Sequence, residues 1–263
     1  MFNVFFAEWR KLRRPVLVFG SLASSLFFTV LITVFLYKNI DSEQGNADRG
    51  STIGRDVLSS PQGSITAVSL VGLFLGITAL CVFAAQTSHE YTYGTLRNLL
   101  VRKPQRLVLL MGKYAAMKSF ALLLAFVNIA TSIAISLALS KDAKVSTNLW
   151  FTSDGWRAIG ETSLNIYISI VFFAIFGMTL GLLFRSPIAS ISVGVIWSLI
   201  LEGLLSFVNK HIPEWTPVTQ FNEIAAGGDS VISYSHALWL GSGYVVAFLA
   251  ISAFLFTKRD VAN

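Results

Sequence analysis

The sequence is poor in charge. Acidic and basic residues together fill 13% of its 263 positions, against about a quarter in soluble domains, while 54% of positions are hydrophobic. Too little polar surface is available to cover that much apolar material in water, which excludes an ordinary soluble domain. Cysteine is nearly absent. The single one, Cys81, lies inside an apolar run, so the chain has no internal disulfide and no thiolate metal site is suggested. The three histidines, His89, His211 and His236, form no H-E-x-x-H pair, and no serine stands in a G-x-S-x-G elbow. A G-x-x-x-x-G-K-[ST] phosphate loop is missing as well, so the chain carries no such cradle for ATP. These absences argue against an enzyme, an intramembrane hydrolase included, and no catalytic residue, cofactor or metal is assigned to the chain.

Long apolar runs are what the sequence has in abundance. Six stand out, at 16–37, 64–86, 119–139, 162–184, 188–208 and 237–256. Each approaches the roughly 20 residues that cross a hydrocarbon core of about 30 Å. They are continuously apolar, without the alternation of a membrane β-strand, so the expected fold is an all-α integral membrane protein with six transmembrane helices in one domain. The first run exceeds the core of a signal peptide and lacks a small-x-small cleavage pattern, so it reads as a retained span.

The formal net charge of +6 would suggest nucleic acid in a soluble protein. Here the basic residues flank apolar runs, where anionic lipid headgroups attract them, so the expected partner is the lipid membrane and no nucleic acid. Thirteen of the twenty Lys and Arg residues fall on one side of the six-span arrangement, among them Arg10, Arg13, Arg106, Lys113, Arg185 and Lys258. By the positive-inside rule that side is cytoplasmic, with both termini on it, and the location is the plasma membrane.

Residues 1–15 place Phe2, Phe5, Phe6, Trp9 and Leu12 at offsets of three and four, opposite Glu8, Arg10, Lys11, Arg13 and Arg14. This pattern reads as an interfacial amphipathic helix, with Phe5, Phe6 and Trp9 toward the acyl boundary and Arg10 and Arg13 toward headgroups; a plain basic flank that sets topology is the other reading. Pro15 disfavours helix at Arg14 and implies a turn there. On the outer side, 39–63 is rich in Gly, Ser, Asp and Gln and reads as a mobile loop. The segment 209–236 holds Ile212, Trp215, Val218, Phe221, Ile224, Val231 and Ile232. It is too apolar for a solvated linker and is expected to pack on the outer face as short helices, with a re-entrant arrangement open.

The loop 89–118 reads HEYTYGTLRNLLVRKPQRLVLLMGKYAAMK. Thr95, Leu96, Arg97, Leu99 and Leu100 offer a short helical stripe before Pro104, and Leu107, Leu110, Met111 and Tyr114 recur at helical spacing beyond it. A short helix, a break and an amphipathic lead-in would form a docking knob. Glu90 stands at a membrane boundary, where a carboxylate needs a partner, either a nearby Arg or an exposed helix N-terminus.

At this loop the chain resembles the membrane subunits of ABC-2-type ABC transporters. The resemblance runs through Glu90, Gly94, Thr95, Leu96, Arg97, Leu99, Leu100, Pro104, Arg106, Gly112 and Lys113, and extends along the chain as layout: amphipathic start, six spans, and a proline-bearing outer segment before the last span. It implies a permease subunit of an ATP-driven exporter for amphipathic or hydrophobic cargo such as an antimicrobial peptide, a drug or a lipid-like molecule. ATP and Mg would be bound by a separate cytoplasmic ABC ATPase in two copies. Glu90, Gly94, Thr95, Leu96, Arg97, Leu99, Arg106 and Lys113 would form the coupling region between spans two and three. A second permease copy or a paralogue would complete a dimer whose path is built from spans one, two and five. Two other readings remain at this level: a non-transporting anchor or sensor that recruits a cytoplasmic protein through the same loop, and an ion-coupled secondary transporter.

Glu202 is the one ionisable residue well inside a run, about 21 Å from the basic end at 1.5 Å per residue. With Asn128 and Asn165 it is a candidate for the translocation path or the dimer interface. Snorkelling toward the outer surface is open for Glu202, and helix-to-helix hydrogen bonds for the two asparagines.

Overall fold

The computed structural model describes residues 2–40, 53–96 and 105–258, which are helical with no strand among them. In chain order the helices are α1 (Phe2–Leu12), α2 (Pro15–Lys38), α3 (Arg55–Ser59), α4 (Gly63–Leu70), α5 (Gly72–Thr92), α6 (Arg106–Ser140), α7 (Ser153–Phe184), α8 (Pro187–Ile196), α9 (Glu202–Val208), α10 (Pro217–Ala226) and α11 (Tyr234–Lys258). A single π turn, Trp197–Leu201, joins α8 to α9 into one rod. Among the described residues, six helices are long and apolar enough to cross a membrane: α2, α5, α6, α7, the α8–α9 rod and α11.

The distribution of polarity shows which solvent this bundle is built for. On α2 the buried residues are Ser21, Ser25, Thr29, Thr33 and Tyr37, one every four positions. The opposite face exposes Phe19, Phe27, Leu31 and Phe35. In water that helix would be inside out; in lipid, small polar residues belong between helices, where they hydrogen-bond across the contact. Thr29 Oγ1 donates to Asn128 Oδ1 at 2.8 Å, and Asn128 Nδ2 donates to Ser25 Oγ at 3.0 Å. The chain is a multi-pass membrane protein by this arrangement and by its six spans.

α7 is the axis of the bundle, its buried residues covering most of its second half, from Ile166 to Leu182. Gly177 and Gly181, four apart, let α5 approach closely. A Cβ on Gly177 would fall on the Leu80 carbonyl oxygen, and one on Gly181 would lie 2.8 Å from the Ala84 oxygen. At one end, Ser88 Oγ and Ser190 Oγ are 2.9 Å apart, tying α5 to α8.

Several boundaries differ from the sequence reading. The second span does not run from 64 to 86: α4 ends at Leu70, and α5 starts at Gly72 and continues to Thr92. The break lies where α10 presses on the chain, since a Cβ on Gly72 would sit 2.5 Å from the Ala225 Cβ. α6 and α7 begin at Arg106 and Ser153, ahead of their apolar runs, because the amphipathic lead-ins continue the same helices. Within 39–63, expected as a mobile loop, residues 41–52 lie outside the described part, while 55–59 are helical and packed. Leu58 is fully buried, its carbonyl accepts from Trp150 Nε1 at 2.8 Å, and Arg55 Nε donates to the Ala143 carbonyl.

Candidate functional site at the basic end of the bundle

α1 meets the bundle along Val4, Glu8 and Leu12, which are buried at four-residue spacing. The aromatic stripe is turned sideways: Phe5 stacks on Trp9, Trp9 meets Phe120 edge-on, and Phe6 is exposed. Glu8, expected on the solvated face with the cations, therefore points inward. Arg10 and Arg13 remain exposed. Gly112 makes this seat possible, because a Cβ there would lie 2.5 Å from Val4 Cγ1.

Next to that contact four charged side chains alternate in sign. Lys11 Nζ lies 2.8 Å from Glu8 Oε1 and 2.8 Å from Glu90 Oε1. Lys113 Nζ lies 3.1 Å from Glu8 Oε2 and pairs with Glu90 Oε1 as well. Glu8, Glu90 and Lys113 are at most 8% exposed. Two carboxylates and two ammonium groups make a neutral quartet, the form in which charges tolerate burial. It joins α1, the last turn of α5 and the second turn of α6, and so binds both ends of the 93–105 loop to the first helix. Glu90 thus has the partners its position calls for, but they are lysines, one on α1 and one on α6.

Past Glu90 the helix stops at Gly94, whose φ of +63° is the left-handed conformation that glycine adopts without cost. Gly94 N donates to the Tyr91 oxygen, and Thr95 Oγ1 reaches the Glu90 carbonyl oxygen at 3.5 Å. Leu96 is buried in the core. Arg97, Leu99, Leu100 and Pro104, on which the coupling stripe rests, lie outside the described residues. Arg106 does not join the quartet: its Nη1 donates to the carbonyls of Phe256 and Thr257, capping the end of α11. Arg185 lies over the Tyr91 ring at 5.2 Å, so the α7–α8 hairpin reaches the same end.

A groove opens beside this junction between α2 and α5, with Leu199 of the π turn on its rim. Its volume is about 590 Å³, and Arg14 and His89 stand at its basic end.

The other sequence candidates have partners within the chain. Glu202, 5% exposed, accepts from Trp197 Nε1 (2.7 Å), Thr216 Oγ1 (2.6 Å), Thr219 Oγ1 (3.0 Å) and the backbone N–H groups of Val218 (3.0 Å) and Thr219 (2.8 Å). Its carboxylate caps the N-terminus of α10, where free N–H groups and the helix dipole favour a negative charge. Asn128 is held between α2 and α6, and Asn165 Oδ1 accepts from Tyr234 OH at 2.8 Å.

Glu8 and Lys11 were missed as site residues by the sequence reading. Their signal was the Val4, Glu8, Leu12 spacing, which sets a carboxylate in the middle of a buried stripe.

The chain belongs to the family of proteins of unknown function DUF2705, whose model matches residues 26–262. It is also similar to the uncharacterized protein YhcI of Bacillus subtilis (strain 168), at 25% identity over 235 residues, which is 82% of this chain and 72% of that protein.

Proposed function

We propose that the chain is the membrane-spanning permease subunit of an ATP-driven exporter of ABC-2 type, with hydrolysis in a separate cytoplasmic ATPase. The observation that carries this reading is the Glu8, Lys11, Glu90, Lys113 quartet. A loop meant to transmit force needs both of its ends fixed to the elements that move. Here one end is Glu90 on α5 and the other Lys113 on α6, and Glu8 and Lys11 fasten both to α1. Movement of the loop would pass into two spans and the helix that precedes the first. The resemblance of Glu90, Gly94, Thr95, Leu96, Arg97, Leu99, Pro104, Arg106, Gly112 and Lys113 to the coupling region of such permeases supports the same role.

On this reading the basic end faces the cytoplasm, both termini lie there, and the membrane is the plasma membrane. α1 rests in the interface with Phe6 in lipid and Arg10 and Arg13 among headgroups. A second copy or a paralogue completes a dimer, and the cargo is amphipathic or hydrophobic.

The test is co-expression with an ABC ATPase encoded beside this chain, followed by purification in detergent and an ATP hydrolysis assay. Arg97→Glu reverses a charge on the loop; Glu90→Ala is unsuitable because it would leave Lys113 buried beside a single carboxylate. A stoichiometric complex whose hydrolysis or assembly is lost in Arg97→Glu is expected. No association with the ATPase, together with a silent substitution, would sink the proposal.

A further inference from the structure

The geometry points to the α2–α5 groove as a binding site for an anionic phospholipid, drawn from the leaflet at the basic end of the bundle. Its volume of about 590 Å³ is that of a ligand pocket, commonly about 300 to 1,000 Å³. It runs from Arg14 to Phe28 along α2 and from His89 back to Phe74 along α5, roughly 21 Å at 1.5 Å per residue. That exceeds the depth of one leaflet, about half of a 30 Å hydrocarbon core. Acyl chains from one leaflet therefore fit along its walls, which Leu17, Phe28, Phe74, Ile77 and Val82 make apolar.

The headgroup end is set by charge. Arg14 and His89 both line the groove and are exposed, and among the described residues neither is in an ion pair. Gln86, one turn in from His89, adds an amide donor, and among the described residues no Asp or Glu lines the groove. The neighbouring carboxylates, Glu8 and Glu90, are turned away into the quartet with both of its lysines. A guanidinium and an imidazole above an apolar slot complement a phosphate carried on acyl chains. A second copy related by a two-fold axis passing beside Arg14 would instead bring its own Arg14 against this one, like charge on like.

This inference is independent of the exporter reading and is measured on the chain alone. Cys81, the only cysteine in the sequence, lines the middle of the groove and serves as the reporter. The detergent-purified full chain is titrated with phosphatidylglycerol or phosphatidylcholine in mixed micelles, and alkylation of Cys81 by N-ethylmaleimide is followed. Lipid retention is read in parallel by native mass spectrometry. Phosphatidylglycerol is expected to slow alkylation at least fivefold at concentrations where phosphatidylcholine does not, and to be retained preferentially. The double variant Arg14→Gln with His89→Gln is expected to abolish the difference. Ala85→Trp, which keeps Arg14 and His89 and fills the groove, is expected to lower phosphatidylglycerol retention to the phosphatidylcholine level. Equal retention of the two lipids, a preference that survives both variants, or equal protection by inorganic phosphate alone would overturn the inference.

Discussion

Neutralising one member of the buried quartet should cost far more than neutralising two of opposite sign. Glu90→Gln leaves Lys11 and Lys113 sharing Glu8, one net positive charge where Lys113 is 8% exposed. Lys113→Met leaves Glu8 and Glu90 sharing Lys11, one net negative charge. Removing one partner of a buried pair costs about 3 to 5 kcal/mol, mostly as the penalty of the charge left behind. The double variant leaves the Glu8–Lys11 pair at 2.8 Å and a junction that is neutral again. Its loss should therefore fall at least about 2 kcal/mol short of the sum of the single losses, a coupling expected for groups in one network. At about 2 to 4 °C per kcal/mol for a chain of this size class, each single variant should unfold roughly 6 to 20 °C lower. The assay is thermal unfolding of the detergent-solubilised protein, with all four species compared in one detergent. Additivity within about 0.5 kcal/mol, or single losses under about 1 kcal/mol as for exposed pairs, would refute the claim that the four charges act as one buried unit.

Three further outcomes follow from the packing. Glu202→Gln turns one carboxylate oxygen, bonded to donors at both positions, into an amide nitrogen, so at least one N–H or hydroxyl at the start of α10 loses its acceptor, at about 1 to 3 kcal/mol. Trypsin cleavage at the exposed Lys210 should then accelerate about tenfold, while the unfolding temperature moves less than in the quartet variants; unchanged cleavage would contradict the capping role. Gly177→Ala forces a Cβ onto the Leu80 carbonyl and should destabilise by about 1 to 3 kcal/mol, measured as unfolding temperature against Gly160→Ala, where nothing lies within 4 Å and no loss is expected. Asn128→Leu removes the bonds to Thr29 and Ser25 and should cost about 0.6 to 2 kcal/mol, read by the same melt; a rise in stability would show the polar stripe on α2 to be dispensable.

The six spans were legible because a run of about 20 apolar residues has few other uses, and the limits of each hydrocarbon segment were read closely for α2 and α11. Helix ends were not legible where tertiary contacts decide them. Hydropathy at 64–71 continues without interruption into 72–86, and nothing in it marks the interruption at Val71, beside which Ala225 approaches Gly72. The start of α6 was hidden for a different reason, since residues 106–118 are amphipathic and an apolar window excludes them although the helix is continuous. At the junction, the periodicity of residues 2–12 showed a helix, yet the strongest hydrophobic stripe was not the buried one. Val4, Glu8 and Leu12 face the bundle because Gly112 offers a gap and Lys113 a counter-charge, and both lie about a hundred residues away. Glu90 was recognised as needing a partner. Its partners could not be named, because lysines on α1 and α6 look like ordinary positive-inside residues until the helices are assembled.

The two buried acidic sites solve the same problem with different chemistry. Glu202 is solvated by neutral donors, two of them backbone N–H groups of α10, whose positions are fixed by the helix that supplies them. Such a cap holds one geometry, and it holds α10 against the π turn that follows α8. Glu90 is neutralised by two ammonium groups on long side chains from different helices. Each lysine touches both carboxylates, so α1, α5 and α6 stay fastened to one another when any one of the contacts lengthens. On the proposed exporter reading, a junction of shared ion pairs suits the end where the loop is pushed, and a dipole-capped helix suits the opposite end, where the path would be closed between pushes. If the exporter reading holds, Glu202→Gln should therefore raise leakage of cargo without ATP, while quartet variants that still fold should uncouple hydrolysis from transport.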